Sequence, residues 1–267
     1  MKSRSNPLLW RIVKNVSIIG SGNVATHLAI NLFNKGITIH SVYSRTMENA
    51  EKLASQVNAL GISRLEDLDL QVIDGVIIAL KDDVIENISN QLQESDVIVA
   101  HTSGTVPLSA LKKHSKTGVF YPLQTFSKTK ALDFSKVPMC IEGYTPDVHS
   151  DLMELAHSIS EDVRSIDSDT RKHIHVAAVF ACNFTNHMLT IANQQLGKSH
   201  QDLSILEPLI RETIDKAFTS APEKVQTGPA ARNDQQVIQK HLDMLAGEPQ
   251  LQNIYTQISN SIINWKK

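Results

Sequence analysis

Only two of the 267 residues are cysteine, Cys140 and Cys182. That count excludes a disulfide framework and a four-cysteine zinc site, and it suits a reducing compartment. An excess of one charge is missing too, since 26 basic side chains face 28 acidic ones for a net of −2. No positive field draws the chain to nucleic acid, and no like-charge block tethers it to a membrane. Uninterrupted apolar runs of the roughly 18 residues that a membrane span requires are lacking. The opening, Met1 to Asn15, sets Lys2, Arg4, Arg11 and Lys14 around Leu8-Leu9-Trp10. It has neither the roughly 7–15-residue apolar core nor the small-residue cleavage site of a secretory signal. A cytoplasmic protein with no nucleic-acid or membrane partner is expected. Internal repeats and low-complexity tracts are absent as well. What remains is 41% apolar and 20% charged residues, enough for a sizeable core in one large domain or two modest ones.

The first half alternates short apolar runs with amphipathic segments. Val16–Ile19, Ile37–Tyr43, Gly75–Leu80, Val97–Ala100, Gly118–Tyr121 and Val137–Ile141 read as strands. Asn23–Lys35, Met47–Val57, Asp82–Gln93 and Pro146–Ser160 read as helices, Pro107–His114 as a short one, and Asp162–Ile166 as a last edge strand. Strands without polar alternation, separated by amphipathic helices, mark a mostly parallel, doubly wound sheet covered on both faces. From Ser168 onward the period becomes 3.6, over about 169–197, 203–218, 233–246 and 249–265. Ser168 is positioned to cap the first of these helices and Gly197 to end it. At 1.5 Å per residue that helix is roughly 42 Å long and needs packing along its length, which points to a second subunit. The expected division is an N-terminal Rossmann-type domain, 14–167, and an all-helical domain, 168–267.

Gly20-Ser21-Gly22-Asn23-Val24-Ala25 is a G-x-G-x-x-A run between the first strand and the first helix. Gly20 permits the tight turn, Gly22 the close approach of backbone to a pyrophosphate, and Ala25 close helix–strand packing. The anion then meets free N–H groups at the positive end of the helix. Gly20, Ser21, Gly22, Asn23 and Val24 are therefore cofactor candidates. At the end of the second strand an NAD site usually places an acid on the ribose. Here Ser44-Arg45-Thr46 stands instead, with no acid before Glu48. A guanidinium flanked by hydroxyls suits a 2′-phosphate, so NADP is expected over NAD. A solvated loop arginine is the other reading. Leu80 and Lys81 follow the Gly75–Leu80 strand, and Ser103 and Gly104 follow the next one. Both pairs sit on the carboxyl edge where open α/β folds bind ligands. The Ser103 stretch also reads as a turn that caps the segment at Pro107.

These pieces in this order resemble the NADP domains of pyrroline-5-carboxylate reductase, ketopantoate reductase and the β-hydroxyacid dehydrogenases. More closely, the chain from about Asn15 is similar to oxidoreductase-like proteins that pair a Rossmann-like domain with a DUF2520 domain. The likeness rests on the glycine loop, His101-Thr102-Ser103-Gly104, Tyr121-Pro122-Leu123-Gln124-Thr125-Phe126-Ser127, the helix Ala177–Phe184, and Thr227-Gly228-Pro229-Ala230-Ala231-Arg232. It implies an NADP domain, a helical dimerisation domain and an oxidoreductase activity, with no substrate attached.

Hydride transfer asks the protein for orientation and for a proton donor at the atom that changes charge. In β-hydroxyacid dehydrogenases the helix after the Rossmann domain presents a lysine and, four residues later, an asparagine. This chain departs from that pattern, because Lys172 is followed at that spacing by Val176. His175 and Asn183 on the helix, with Tyr121 at the end of a strand, are the catalytic candidates. On an ideal helix His175, Asn183 and Asn186 share one side, but Asn183 lies about 12 Å and Asn186 about 16 Å along the axis from His175. That places the two asparagines at the nicotinamide and His175 farther off. Gln124, Thr125, Ser127, Asn186 and Arg232 are candidate substrate contacts, Arg232 for a carboxylate unless it pairs with Asp234 or Glu223. Each of these residues also has a plain packing or capping reading. Cys182 reads as a small core residue, and His173 with His175 makes a poor metal pair. The leading expectation is an NADPH-dependent reductase of a small keto acid, hydroxy acid or imine. A non-catalytic NADP-binding sensor or dimeric scaffold is the alternative, and a methyl- or phosphate-transferring nucleotide enzyme a weaker third.

Overall fold

A computed structural model describes residues 13–127 and 132–265. The reading of the basic Leu-Trp opening falls on residues 1–12, outside the described residues. Eight strands form one sheet in the order β3-β2-β1-β4-β5-β6-β7-β8. They are β1 (Asn15–Ile19), β2 (Thr38–Tyr43), β3 (Leu60–Ile62), β4 (Gly75–Ile78), β5 (Ile98–His101), β6 (Thr117–Pro122), β7 (Met139–Gly143) and β8 (Val163–Ser165). Every neighbouring pair is parallel except β6 and β7. The expected mostly parallel, doubly wound architecture followed by helices is what the chain adopts.

The uninterrupted apolar strands follow from burial on two sides. Successive side chains of a strand point to opposite faces. Val16 and Ile18 of β1 and Ile77 of β4 join one core, with Leu28 and Leu32 of α1 (Asn23–Asn34), Leu53 of α2 (Met47–Ala54) and Leu152 of α4 (Pro146–His157). Ile19, Val76 and Ile78 join the other, with Ile85 of α3 (Asp82–Gln91) and Leu111. The buried hydroxyls of Ser17 and Ser41 pair with each other at 2.8 Å, so neither strand carries an unmet polar group there. Edge strand β3 has no counterpart in the sequence reading. It is three residues long and contains Gly61, too little for a periodicity to register.

The helical part comprises α5 (Ser168–Ala178), a π-turn segment (Val179–Phe184), α6 (Thr185–Gly197), α7 (Glu207–Thr219), the four-residue α8 (Pro222–Val225), α9 (Gln235–Met244) and α10 (Pro249–Trp265). Asp167 rather than Ser168 caps α5, its carboxylate accepting from Thr170 N at 2.7 Å. The chain divides into two units, Met1–Thr185 and Asn186–Lys267. Thus 168–185 group with the sheet in this division. The helical run Ser168–Gly197 covers 30 residues, and its 18-residue stretch of mean hydropathy 1.2 is long and apolar enough to cross a membrane by length and composition alone. A search for contiguous apolar runs misses it because Thr, Asn and His interleave its Ala, Val and Phe.

Candidate functional site

The strand order places the site. β1 has β2 on one side and β4 on the other, so the connections after β1 and after β4 leave the sheet apart and open a crevice at its carboxyl edge. Gly20 lies on that crevice at φ +130°, and a Cβ there would stand 2.3 Å from the carbonyl oxygen of Ala79 and 3.3 Å from the Leu80 side chain. No side chain fits, so the turn requires glycine. At Gly22 the opposite holds, because a built Cβ meets nothing within 4 Å. Gly22 caps α1 with no side-chain bond to the first N–H groups, and the first turn holds no acid. An uncapped helix start beside open space is a fitting seat for a diphosphate.

Ser21 Oγ donates to Ser44 Oγ at 3.0 Å, which ties the glycine loop to the end of β2. Arg45 is exposed and has no hydrogen bond or ion pair among the described residues, while Thr46 accepts from Asn49 at 2.6 Å. Lys81 is exposed at the start of α3. Val24 packs against the core. Asn23 Nδ2 donates to the Phe126 carbonyl at 2.9 Å, and His27 Nε2 lies 2.9 Å from the Ser127 carbonyl. The loop after β6 therefore crosses the start of α1.

Tyr121 and His175, 54 positions apart, meet at this edge, with the Tyr121 hydroxyl 3.2 Å from His175 Nδ1. Gly104 makes the meeting possible. A Cβ on residue 104 would lie 2.5 Å from His175 Nδ1 and 2.9 Å from Tyr121 Cζ. Burial, above all, pushes the Tyr121 phenol up to about 12, so it keeps its proton at any ordinary pH and is equipped to donate. Ser103 turns its hydroxyl to its own loop, accepting from Thr105 N and Val106 N at 3.0 Å each. The Thr105 hydroxyl donates to Asp82 at the head of α3.

Behind this pair stands Arg171, fully buried one turn before His175. Its guanidinium bonds Glu142 Oε2 at 2.5 Å and the Val106 carbonyl at 2.7 Å, and Ser168 Oγ donates to the same Glu142 oxygen at 2.8 Å. α5 is thereby tied to β7 and to the loop after β5, which fixes the rotation that presents His175. His101, at the end of β5, is wholly buried and accepts from Ser103 N through Nδ1 at 3.1 Å. Burial, with Arg171 nearby, lowers its pKa to about 4, so the ring is neutral.

His175, not Asn183, stands against the strand-end loops. Asn183 is exposed in the π-turn segment and makes no hydrogen bond among the described residues. That wider turn intervenes between His175 and Asn186, so the 100° rotation used to align them does not hold across it. Asn186 is exposed in α6. Cys182 is exposed rather than in the core. Gln124 and Thr125 are exposed and bonded to each other, Thr125 N donating to Gln124 Oε1 at 2.8 Å. Arg232 is exposed and pairs with neither Asp234 nor Glu223, Asp234 instead capping α9. The described residues hold no cluster of three or more His, Cys, Asp or Glu placed for a metal. Sequence reasoning misses Arg171 and Glu142. The one available signal is that Arg171 lies four residues before His175, on the same helix face.

Comparison with known proteins adds the following. Residues 15–104 match the family described as NADP oxidoreductase, coenzyme F420-dependent, and residues 137–262 match the domain of unknown function DUF2520. The solved structure of BF3122 from Bacteroides fragilis, described as a candidate NADP oxidoreductase, superposes with a TM-score of 0.86 at 38% identity, over 94% of this chain and 98% of that one. Protein TM1727 from Thermotoga maritima gives 0.67 at 20% identity, over 92% and 96%. A pyrroline-5-carboxylate reductase from Coxiella burnetii gives 0.55 at 15%, over 94% and 97%. The latter two likenesses are of fold. No curated protein matches the chain.

Proposed function

The chain belongs to the family of the Bacteroides fragilis protein, in which an NADP oxidoreductase domain precedes a DUF2520 domain, and from that premise we propose that it is an NADP(H)-dependent oxidoreductase. Its substrate is a small polar molecule: a keto acid, a hydroxy acid or an imine. The observation that carries the reading is the Tyr121–His175 pair, 3.2 Å apart, on the same sheet edge as an uncapped, open glycine loop.

The residues present fit a dinucleotide. The Gly20–Val24 backbone would hold its diphosphate, Arg45 with Ser44 and Thr46 its 2′-phosphate, and Leu80, Lys81 and the Ser103–Gly104 loop its nicotinamide half. When bound, the cofactor supplies the hydride. The chain's own part is the proton. With His175 Nδ1 protonated, the ring donates to the Tyr121 oxygen and leaves the phenolic O–H free for the substrate oxygen or nitrogen that gains charge. The phenol held near 12 favours donation over base work. Gln124, Thr125 and Ser127, on the loop that crosses the start of α1, are assigned to substrate contact. Residues 14–167 serve as the cofactor domain and 168–267 as the substrate and dimerisation domain of a homodimer. Two unpaired thiols accord with a reducing, cytoplasmic setting.

Fluorescence titration with NADPH and NADH, followed by NADPH oxidation over a panel of keto acids and imines, tests this reading. Tyr121→Phe is expected to lower kcat by ~10²–10⁴-fold on any substrate found, with NADPH affinity unchanged. Failure to bind NADPH refutes the assignment outright. An undiminished Tyr121→Phe rate removes the phenol from the chemistry, and binding without turnover on any member favours a cofactor-binding module.

A further inference from the structure

The loop that follows β6 is held by two side chains that the proton chemistry does not use. Just past β6 the Leu123 N–H still reaches the Pro138 carbonyl beside β7, and from there the chain leaves the sheet. It is received by α1. Asn23 Nδ2 donates to the Phe126 carbonyl and His27 Nε2 to the Ser127 carbonyl, each at 2.9 Å. A carbonyl only accepts, so His27 carries a proton on Nε2. Asn23 and His27 stand four residues apart in α1 and therefore face the same way, one turn from each other. Two successive carbonyls thus meet two donors on one helix face, which fixes the height of the loop along α1 as well as its distance from it. The Phe126 ring adds a third point. Its centroid lies 5.2 Å from that of His27 and 6.1 Å from that of Phe134, and the ring packs against the core on that side.

This fastening falls beside the cofactor seat. Asn23 opens α1, and its backbone N–H belongs to the first turn, which no side chain caps. Side chain and backbone of Asn23 therefore serve different partners, the loop carbonyl and an incoming anion, with no competition for one hydrogen. Space agrees, since a Cβ built on Gly22 meets nothing within 4 Å and the fastened loop leaves the seat open. At its other end the loop continues from Tyr121, whose hydroxyl is 3.2 Å from His175. Between the two ends Gln124 and Thr125 are exposed and bonded to each other. A stretch with so little burial of its own is held in place by its fastenings.

We propose that Asn23 and His27 are positioning residues that latch the 123–127 loop to α1, so that a diphosphate at the start of α1 and the ordered loop stabilise one another. The inference rests on the dinucleotide reading and extends it to the loop assigned to substrate. An anion bonded to the Asn23 N–H fixes the residue whose side chain holds the loop, and a loop held there fixes the same residue for the anion. Linkage makes the two effects equal: the factor by which NADPH favours the latched loop is the factor by which the latched loop favours NADPH. One neutral hydrogen bond corresponds to about 5-fold in affinity.

The test follows hydrogen exchange of the peptide spanning 122–127 by mass spectrometry, with and without NADPH, alongside fluorescence titration of NADPH affinity. It compares the wild type with His27→Gln, which keeps an N–H donor and gives up the ring, and with His27→Leu, which keeps apolar bulk and gives up the donor. NADPH is expected to slow exchange of the loop in the wild type and in His27→Gln. In His27→Leu that slowing should be lost and NADPH should bind about 5-fold more weakly. A Leu variant that behaves as wild type, or a Gln variant that fails as fully as Leu, shows His27 acting by packing and overturns the latch. NADPH binding that leaves wild-type loop exchange unchanged overturns the coupling while the cofactor reading stands, and this arm decides even where a variant does not fold. A wild type that does not bind NADPH overturns both.

Discussion

His101 provides a measurement that needs neither cofactor nor substrate. Its ring is wholly buried at the end of β5, accepts the Ser103 N–H through Nδ1, and has its pKa lowered from 6.5 to about 4 by burial and by Arg171. The folded state therefore binds fewer protons than the unfolded state between those two values. The resulting stability is fully present above about 6.5 and is lost as the pH falls toward 4. At 1.36 kcal/mol per unit the full loss is about 3 kcal/mol, of which about 2 is already gone at pH 5. Substitution by asparagine keeps an acceptor for the Ser103 N–H and removes the titration. Urea unfolding followed by far-ultraviolet circular dichroism at pH 7.5 and pH 5 compares the two proteins. With a slope of about 2 kcal/mol per molar, the wild-type midpoint should fall by about 1 M more than that of His101→Asn. Equal shifts in the two proteins, or a wild type that gains stability on acidification, would refute a neutral, desolvated His101.

Two further outcomes follow from the site. Gly104→Ala forces the His175 ring back by nearly 1 Å from a Cβ placed at 2.5 Å, which opens the 3.2 Å contact with Tyr121. Turnover should drop by ~100-fold, the scale for an ångström-sized misplacement; stopped-flow NADPH oxidation reads it, and an unaltered rate means the pair is not the donor. Arg45→Ala should weaken NADPH by ~10–100-fold, the loss of one or two charge-assisted hydrogen bonds, and leave NADH unchanged; equal losses for both coenzymes would place Arg45 away from the 2′-phosphate.

How much of this is legible without coordinates varies with the range of the interaction. Gly20 and Gly22 are legible because their roles are local: a turn that no side chain can enter, and a helix start left open. The buried strands are equally so, since covering a parallel sheet on both faces leaves runs such as Gly75-Val76-Ile77-Ile78 with no polar alternation. β3 escapes because Leu60-Gly61-Ile62 is too short to have a period. The pairing of Tyr121 with His175 escapes for a different reason. It depends on where α5 docks, and docking is decided by Arg171 reaching Glu142 on β7, a contact across 29 positions. A lone arginine in an amphipathic pattern reads as a solvated charge, so nothing in the spacing announces that it is fully buried.

The helix beyond His175 departs from the ideal projection for a related reason. Projecting His175, Asn183 and Asn186 onto one wheel assumes a uniform α-helix, and Val179–Phe184 adopts a π-turn that no residue in Val-Phe-Ala-Cys-Asn-Phe signals. A π-turn costs hydrogen-bond geometry and persists where surrounding contacts hold both flanks. The upstream flank is held here: Asp167 caps α5, and Arg171 is bonded to Glu142 and to the Val106 carbonyl. With that flank fixed, any mismatch in the continuous helix is taken up after Ala178 rather than before His175. The buried ion pair is thus tied to the position of the imidazole. Its burial is weak evidence for stability, because a desolvated charge pair roughly breaks even against apolar packing. What the pair does fix is the rotation of α5 against β7.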